Sequence, residues 1–250
     1  MAMTERHSHS HEHDHGHMVH DHRAVQGGTA RAAIFGISDG LVSNVALILG
    51  VAAAAGAASD GSAVVIAGVS GLLAGAASMA AGEYVSMKAQ NELIERELRI
   101  ERESLQNNPK MEVRELAAIY RARGIDDGTA QEFAEAIHED IEVALEVHAR
   151  EELGVDPDDI GDPAGAAISS FIAFAIGAIL PLIPWFLAAG VTAMVASVVI
   201  GLVAAAAVGT ALAVFTERSV LRTAFRQVGW AAGACAITFA IGSLLGTAVA

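Results

Sequence analysis

Cysteine is almost missing from this 250-residue chain: a single residue, Cys235, excludes a disulfide framework and any Cys-based zinc site within one chain. Positive charge is scarce too, with 15 Lys and Arg against 29 Asp and Glu and a formal net charge of −14, which argues against nucleic acid as a partner. There is no strand signal, and the polar, His-rich N-terminus has no cleavable secretion signal. What is abundant is apolar residues. They make up 53% of the chain, mean hydropathy is +0.46, and they collect into long, almost uncharged blocks. A membrane protein whose natural partners are cations and the lipid bilayer fits both the absences and the excess.

Five apolar blocks run from Ala32 to Gly56, Ala63 to Met87, Ala166 to Leu187, Gly190 to Phe215 and Val228 to Thr247. Each holds about 20 to 25 residues, which at ~1.5 Å per residue spans a hydrocarbon core of roughly 30 Å. The spacings Gly36 to Gly40, Gly71 to Gly75 and Gly242 to Gly246 fit small-xxx-small packing, where close backbone approach supplies the attraction that hydration cannot. Between the second and third blocks, Lys88 to Gly165 carries 21 acidic and 9 basic residues. Its first part, KAQNELIERELRIERESLQ, has no helix breaker and continues the second membrane helix into water. Pro109 marks a turn and restart. MEVRELAAIYRARG then forms a second helix ending at Gly124, and the Asp126-Asp127-Gly128-Thr129 cap opens a third that runs to Gly154.

The predicted fold is therefore all-α: an integral membrane protein with five transmembrane helices and a three-helix acidic domain inserted between helices two and three. The divisions are a disordered His-rich tail (1–30), helices one and two (31–88), the acidic domain (89–165) and helices three to five (166–250). Orientation follows from the basic residues. Arg6, Arg23 and Arg31 precede helix one, nine more lie in the acidic domain, and Arg218, Arg222 and Arg226 stand between helices four and five. The short loops around Asp60 and after Trp185 carry none, so the positive-inside rule places the N-terminus and the acidic domain in the cytoplasm.

Asp39, in FGISDGLVSN, is the strongest chemical pointer, because a carboxylate inside an apolar helix is costly unless paired, solvated or bound to a cation. Ser38, Ser43 and Asn44 add oxygen donors nearby. In SMAAGEYVSMKAQ, Met79, Glu83 and Met87 recur every fourth residue and share one face. A thioether beside carboxylates suits later first-row metals rather than Mg²⁺ or Ca²⁺. The bland alternatives are an interfacial carboxylate that snorkels and a methionine that only packs.

In the acidic domain the candidate ligands are Glu101 with Glu103, Glu112 with Glu115, and His148 with Glu151 and Glu152. Carboxylates one turn apart on three helices can enclose a cation, and imidazole tilts the preference to a transition metal. The alternative is a solvated, ion-paired face, as Glu92 to Arg96 and Glu95 to Arg99 suggest. The tail, with His7, His9, His11, His13, His15, His17, His20 and His22 set among acids, reads as a weak metal-gathering arm.

These residues resemble the vacuolar iron transporter family of Fe²⁺/Mn²⁺ carriers, through FGISDGLVSN, SMAAGEYVS, ELAAIYRARG, HAREELGV and AIGAILPLIP, in order along nearly the whole chain after the tail. The resemblance implies a homodimer of five-helix protomers, export of metal from the cytosol in exchange for protons and, for a bacterial member, placement in the cell's inner membrane. It implies Asp39 and Met79 as pathway residues and Glu101, Glu112, Glu115 and Glu152 as ligands on the cytoplasmic side. Two departures stand out. Ser104 occupies a position where the family usually has glutamate, and His148 one where some relatives have methionine.

The resulting expectation is that Fe²⁺ or Mn²⁺ is the substrate, with Zn²⁺ or Co²⁺ as surrogate and no organic cofactor. The acidic domain captures metal and passes it to Asp39, Met79 and Glu83, where protons compete for the carboxylates. A membrane-anchored metal sensor or buffer is the alternative. A di-iron oxidase is weaker, since Glu135-x-x-His138 occurs once where such a site needs two copies.

Overall fold

The computed structural model describes residues 28–56, 61–158 and 160–249, with side chains to 246; the tail histidines lie outside these residues. All regular structure among them is helical. The helices are α1 (Gly28–Ala55), α2 (Ser62–Asn107), α3 (Pro109–Ala122), α4 (Asp127–Ile137), α5 (Ile141–His148), α6 (Pro163–Ile179), α7 (Ile183–Leu187), α8 (Gly190–Phe215) and α9 (Val220–Val249). Five spans among the described residues are long and apolar enough to cross a membrane: α1, α2, α6 with α7, α8 and α9. All five predicted blocks are present. The last begins earlier than its apolar stretch, because Arg222 and Arg226 occupy the first two turns of α9.

Helix α1 is the hub, packed against α2, α6, α8 and α9. Small residues make this possible. A Cβ at Gly36 or Gly40 would collide with the backbone of α6 at Ser170 and Phe174, and one at Gly242 or Gly246 with the backbone of α1 at Gly50 and Ala54. Two of the three glycine pairs read from the sequence are thus sites of close backbone approach, whereas Gly71 and Gly75 make room for the side chains of Leu47 and Phe174. Outward, the bundle is greasy: Ile66, Val203, Phe225 and Trp230 are all exposed, the arrangement expected where lipid is the solvent.

Pro181 and Pro184 break the third span into α6, a 3-10 turn over Leu180–Leu182 and α7. Prolines lack the N–H that nearby carbonyls would otherwise receive, and side chains from neighbouring helices supply the donors. Asn44 donates Nδ2 to the Ala178 carbonyl at 2.6 Å, and Ser197 donates Oγ to the Pro181 carbonyl at 2.6 Å.

Helix α2 continues without interruption from the apolar span to Asn107, as its sequence predicts. The helical segment that follows has two small cores. One joins Leu116, Ala117 and Tyr120 to Ala130 and Ala134; the other joins Leu105 to Ala144 and Leu145. Arg102 donates to both oxygens of Glu142, tying α2 to α5. The predicted third helix, Asp126 to Gly154, is not continuous, so the acidic segment has one more helix than expected. It stops after Ile137 and restarts at Ile141, where the Asp140 carboxylate accepts the Glu142 N–H at 2.9 Å. A side chain that caps an N-terminus competes with helix continuation, and here the cap wins. The chain then widens into a π-turn over Ala149–Leu153, closed by Gly154 at φ +67.

Candidate metal sites

Two groups of predicted ligands come together, one near the middle of α2 and one toward its C-terminal end. The first lines a cleft of about 480 Å³ between α1 and α2, whose walls include Asp39, Ser43, Asn44, Met79, Glu83 and Arg31. Helical spacing explains the set: Asp39 and Ser43 lie one turn apart on α1, as do Met79 and Glu83 on α2. Glu83 has an 11% exposed side chain and accepts from Arg31 at 3.1 Å, so one carboxylate at this cleft has a cationic partner. Ser43 donates to the Asp39 carbonyl at 2.6 Å, leaving its oxygen lone pairs available. Asn44 is 1% exposed, and its Oδ1 has no hydrogen-bond partner among the described residues. A carboxylate, a thioether and an orphaned amide oxygen around one opening make a donor set for a desolvated cation.

Two of the candidates fall elsewhere. Met87 is buried with Ala32 and Ala166 beyond the cleft, so the four-residue repeat stops contributing to the lining at Glu83. Ser38 is likewise outside the lining.

The second group is more compact. One ligand atom each from Glu101, His148 and Glu152 lies within 4.8 Å of the others. Helix α2 supplies Glu101, α5 ends on His148, and the π-turn places Glu152 one turn further on. His148 is fully buried, and its Nδ1 stands 2.7 Å from Glu152 Oε1 and 3.0 Å from Glu101 Oε1. Glu112, 4% exposed, approaches the same nitrogen to 4.0 Å and accepts a hydrogen bond from Ser104 Oγ. Serine at this departure therefore supplies a donor that orients a buried carboxylate, in place of another negative charge.

The electrostatics follow from crowding. Burial and then the Glu152 charge push the Glu101 carboxyl above the ordinary glutamate range. The Glu152 charge raises Glu115 as well, which places that exposed residue at the rim. For His148 burial opposes protonation, but the Glu152 carboxylate close beside it and then the charges of Glu101 and Glu112 outweigh it and the balance is upward. Glu103 pairs with Arg99 at 3.5 Å and Glu151 with Arg123, so both are engaged by arginines apart from the cluster.

One neighbour had no place among the predicted ligands. His138 brings its Nε2 to 3.2 Å from His148 Nε2. A signal for it existed: the chain has ten histidines, eight of them in the tail, and His138 and His148 are the other two. Glu135, the partner of His138 in the single di-iron-like motif, is exposed and accepts from Gln131 at 2.9 Å.

The model of the VIT family matches residues 30–243, which takes in the cleft, the cluster and all five spans. Vacuolar iron transporter of Acanthamoeba castellanii is 35% identical over 232 residues, covering 89% of this chain and 82% of the relative. Vacuolar iron transporter 1 of Arabidopsis thaliana is 33% identical over 220 residues, covering 88% and 87%. Vacuolar iron transporter homolog 1 of Oryza sativa subsp. japonica is 33% identical over 224 residues, covering 86% and 73%. These proteins are named as transporters rather than enzymes, and with a match that spans the helices holding both ligand groups, this membrane-spanning chain belongs to the VIT family.

Proposed function

We propose that this protein moves Fe²⁺ or Mn²⁺ out of the cytoplasm in exchange for protons, with the acidic segment on the cytoplasmic side. The observation that carries the reading is α2: one uninterrupted helix bears Met79 and Glu83 at the cleft and Glu101 in the cluster. Glu83 and Glu101 are separated along its axis by about 27 Å at ~1.5 Å per residue, so a capture site and a membrane site are built on one rigid rod. The iron-transporter names of the relatives support metal as substrate, and the mixed thioether, imidazole and carboxylate donors support a transition metal. Zn²⁺ and Co²⁺ are suitable surrogates, and no organic cofactor is required.

Direction rests on charge. The basic residues flank the ends of α1, α8 and α9 that lie on the side of the acidic segment, which is the cytoplasmic pattern. In a bacterial cell that orientation corresponds to export across the inner membrane. Coupling rests on the carboxylates, since Asp39, Glu83 and Glu101 can each hold metal or proton but not both. The protein acts as a homodimer, a reading supported by the open side of the cleft and by α2, whose apolar window is only 17% buried in one chain. A metal sensor or buffer would need the cluster alone and leaves the cleft without purpose.

Reconstitution into proteoliposomes tests the reading. Fe²⁺ or Mn²⁺ flux that rises with an imposed opposing proton gradient, and collapses in Asp39→Ala while cluster binding persists, is the expected result. Metal binding without flux in the unmutated protein would leave the sensor as the better account.

A further inference from the structure

We propose that His138 is a positioning residue that fixes the tautomer of His148, so that His148 presents a bare Nδ1 to the metal. The inference rests on the cluster being a metal site and goes beyond it in assigning a role to a residue that does not itself ligate.

The argument runs through three atoms in series. His138 Nδ1 lies 2.7 Å from the carbonyl oxygen of Ala134, and a carbonyl only accepts, so this nitrogen carries the hydrogen. In the neutral ring the other nitrogen, Nε2, is then an acceptor. It faces His148 Nε2 at 3.2 Å, with the two rings nearly perpendicular at 85°, so His148 Nε2 supplies the hydrogen of that bond. The remaining nitrogen of His148 therefore has a free lone pair in the neutral, metal-binding form of the ring.

That lone pair has one direction to go. Nδ1 is fully buried, faces Glu101 Oε1 at 3.0 Å and Glu152 Oε1 at 2.7 Å, and none of the three atoms has a hydrogen-bond partner among the described residues. In the neutral ring of this tautomer three acceptors converge there with no donor among them, which describes a cation site. Backbone geometry in α4 thus reaches the metal through two imidazoles, and the break at Asp140 lets His138 and His148 face one another. Hydrogen-bond partners of ligating histidines commonly set tautomer and orientation in this way, and losing one lowers metal affinity about 10- to 100-fold.

The consequence for selectivity is specific. With His138 in place the cluster has a nitrogen donor and favours Mn²⁺, Fe²⁺ or Co²⁺ over Ca²⁺. Without it, the Nδ1–H tautomer turns a proton toward the carboxylates, and only oxygen donors remain.

The test compares His138→Phe, which removes the acceptor, with His138→Gln, whose side-chain oxygen can accept from His148 Nε2. Mn²⁺ and Ca²⁺ binding are titrated on the full chain, with His148→Ala as the baseline for the tail and other sites. The expected result is Mn²⁺ affinity about tenfold or more weaker in His138→Phe, largely restored in His138→Gln, with Ca²⁺ affinity unchanged in both. Pulsed EPR of bound Mn²⁺ should show nitrogen coupling in the unmutated protein and in His138→Gln, and none in His138→Phe. Equal losses for both metals, a His138→Gln variant no better than His138→Phe, or no change in His138→Phe overturns the proposal. If His148→Ala itself leaves Mn²⁺ binding unchanged, the metal-site reading fails with it. Should His138→Phe not fold, histidine ¹⁵N spectra of the Zn²⁺-loaded unmutated chain decide. A metal-bound Nδ1 with a protonated Nε2 on His148 supports the relay, and the reverse tautomer overturns it.

Discussion

In the cleft, Asp39, Met79 and Glu83 stand on two helices around an open volume, and Arg31 engages one of the carboxylates. In the cluster, Glu101, His148 and Glu152 already hold their ligand atoms within 4.8 Å, around a fully buried imidazole. The two regions use similar donors at different degrees of assembly. A preassembled site has met its ordering cost during folding and can hold a metal at low concentration; a loosely assembled one binds more weakly and releases more readily. On the transport function proposed above, that is the division of labour a capture site and a transfer site need.

The largest effect expected from breaking this comparison is on flux. Asp39→Ala removes a charged ligand from the cleft, an interaction in the range of 1.5 to 3 kcal/mol, so Mn²⁺ uptake by proteoliposomes should fall about tenfold to a hundredfold. Cluster binding, measured by calorimetry on the same preparation, should not change. Glu152→Gln is the converse. It takes away the carboxylate nearest His148 Nδ1 and should weaken Mn²⁺ binding about tenfold, with flux restored at saturating metal.

Acid should separate the two regions further. In the metal-free protein Glu101 holds its proton to higher pH than an ordinary glutamate, and so does His148 relative to an ordinary histidine. Metal binding must expel these protons, so affinity should rise with pH, about tenfold per unit for each proton displaced. Stability has the opposite sign. The raised His148 value contributes stability that is complete below 6.5 and is lost as pH rises through the folded value, and ionising the crowded Glu101 acts in the same direction. Thermal unfolding of the chelated protein should therefore occur at a lower temperature at pH 8.5 than at pH 6, and added Mn²⁺ should remove that difference.

Much of this architecture was legible because the bilayer simplifies the code. Span lengths, the continuous α2 and the glycine pairs that let α1 meet α6 and α9 all follow from composition and period alone. Shared placement along the cleft was legible where helical spacing governs it, as with Met79 and Glu83. It failed where tertiary packing decides. Met87 continues the same period, yet α2 passes Ala32 and Ala166 at that point and the residue becomes core. Glu103 and Glu151 carry the right chemistry beside Glu101 and Glu152, but arginines pair with them. His138 meets the cluster through a break in the helix that periodicity does not reveal.

Ser104 offers a finer test of how the cluster keeps its carboxylates in place. Its hydroxyl donates to Glu112, which is buried and has no arginine or lysine partner among the described residues. Ser104→Ala should weaken metal binding about fivefold, corresponding to ~1 kcal/mol for one hydrogen bond. Ser104→Glu should do more harm to the metal-free fold, through like-charge repulsion with Glu112, and should recover stability when Mn²⁺ is added.

The smallest effect should come from Asp140, which touches no ligand. Its carboxylate caps α5, and removing such a cap costs about 1 kcal/mol. Because α5 ends on His148, the cap also helps set where that imidazole sits, while the break it maintains leaves His138 as the C-cap of the preceding helix. Asp140→Ala should lower the unfolding temperature of the acidic segment by a few degrees and weaken Mn²⁺ binding less than fivefold, since three ligands and the His138 contact survive. Asp140→Asn, which keeps a capping oxygen, should restore both. Flux at saturating metal should match the unmutated protein in each case, because the cleft lies along α2, away from this break. A loss of flux in Asp140→Ala at saturating metal would mean that the two regions are coupled through the acidic segment rather than working in series.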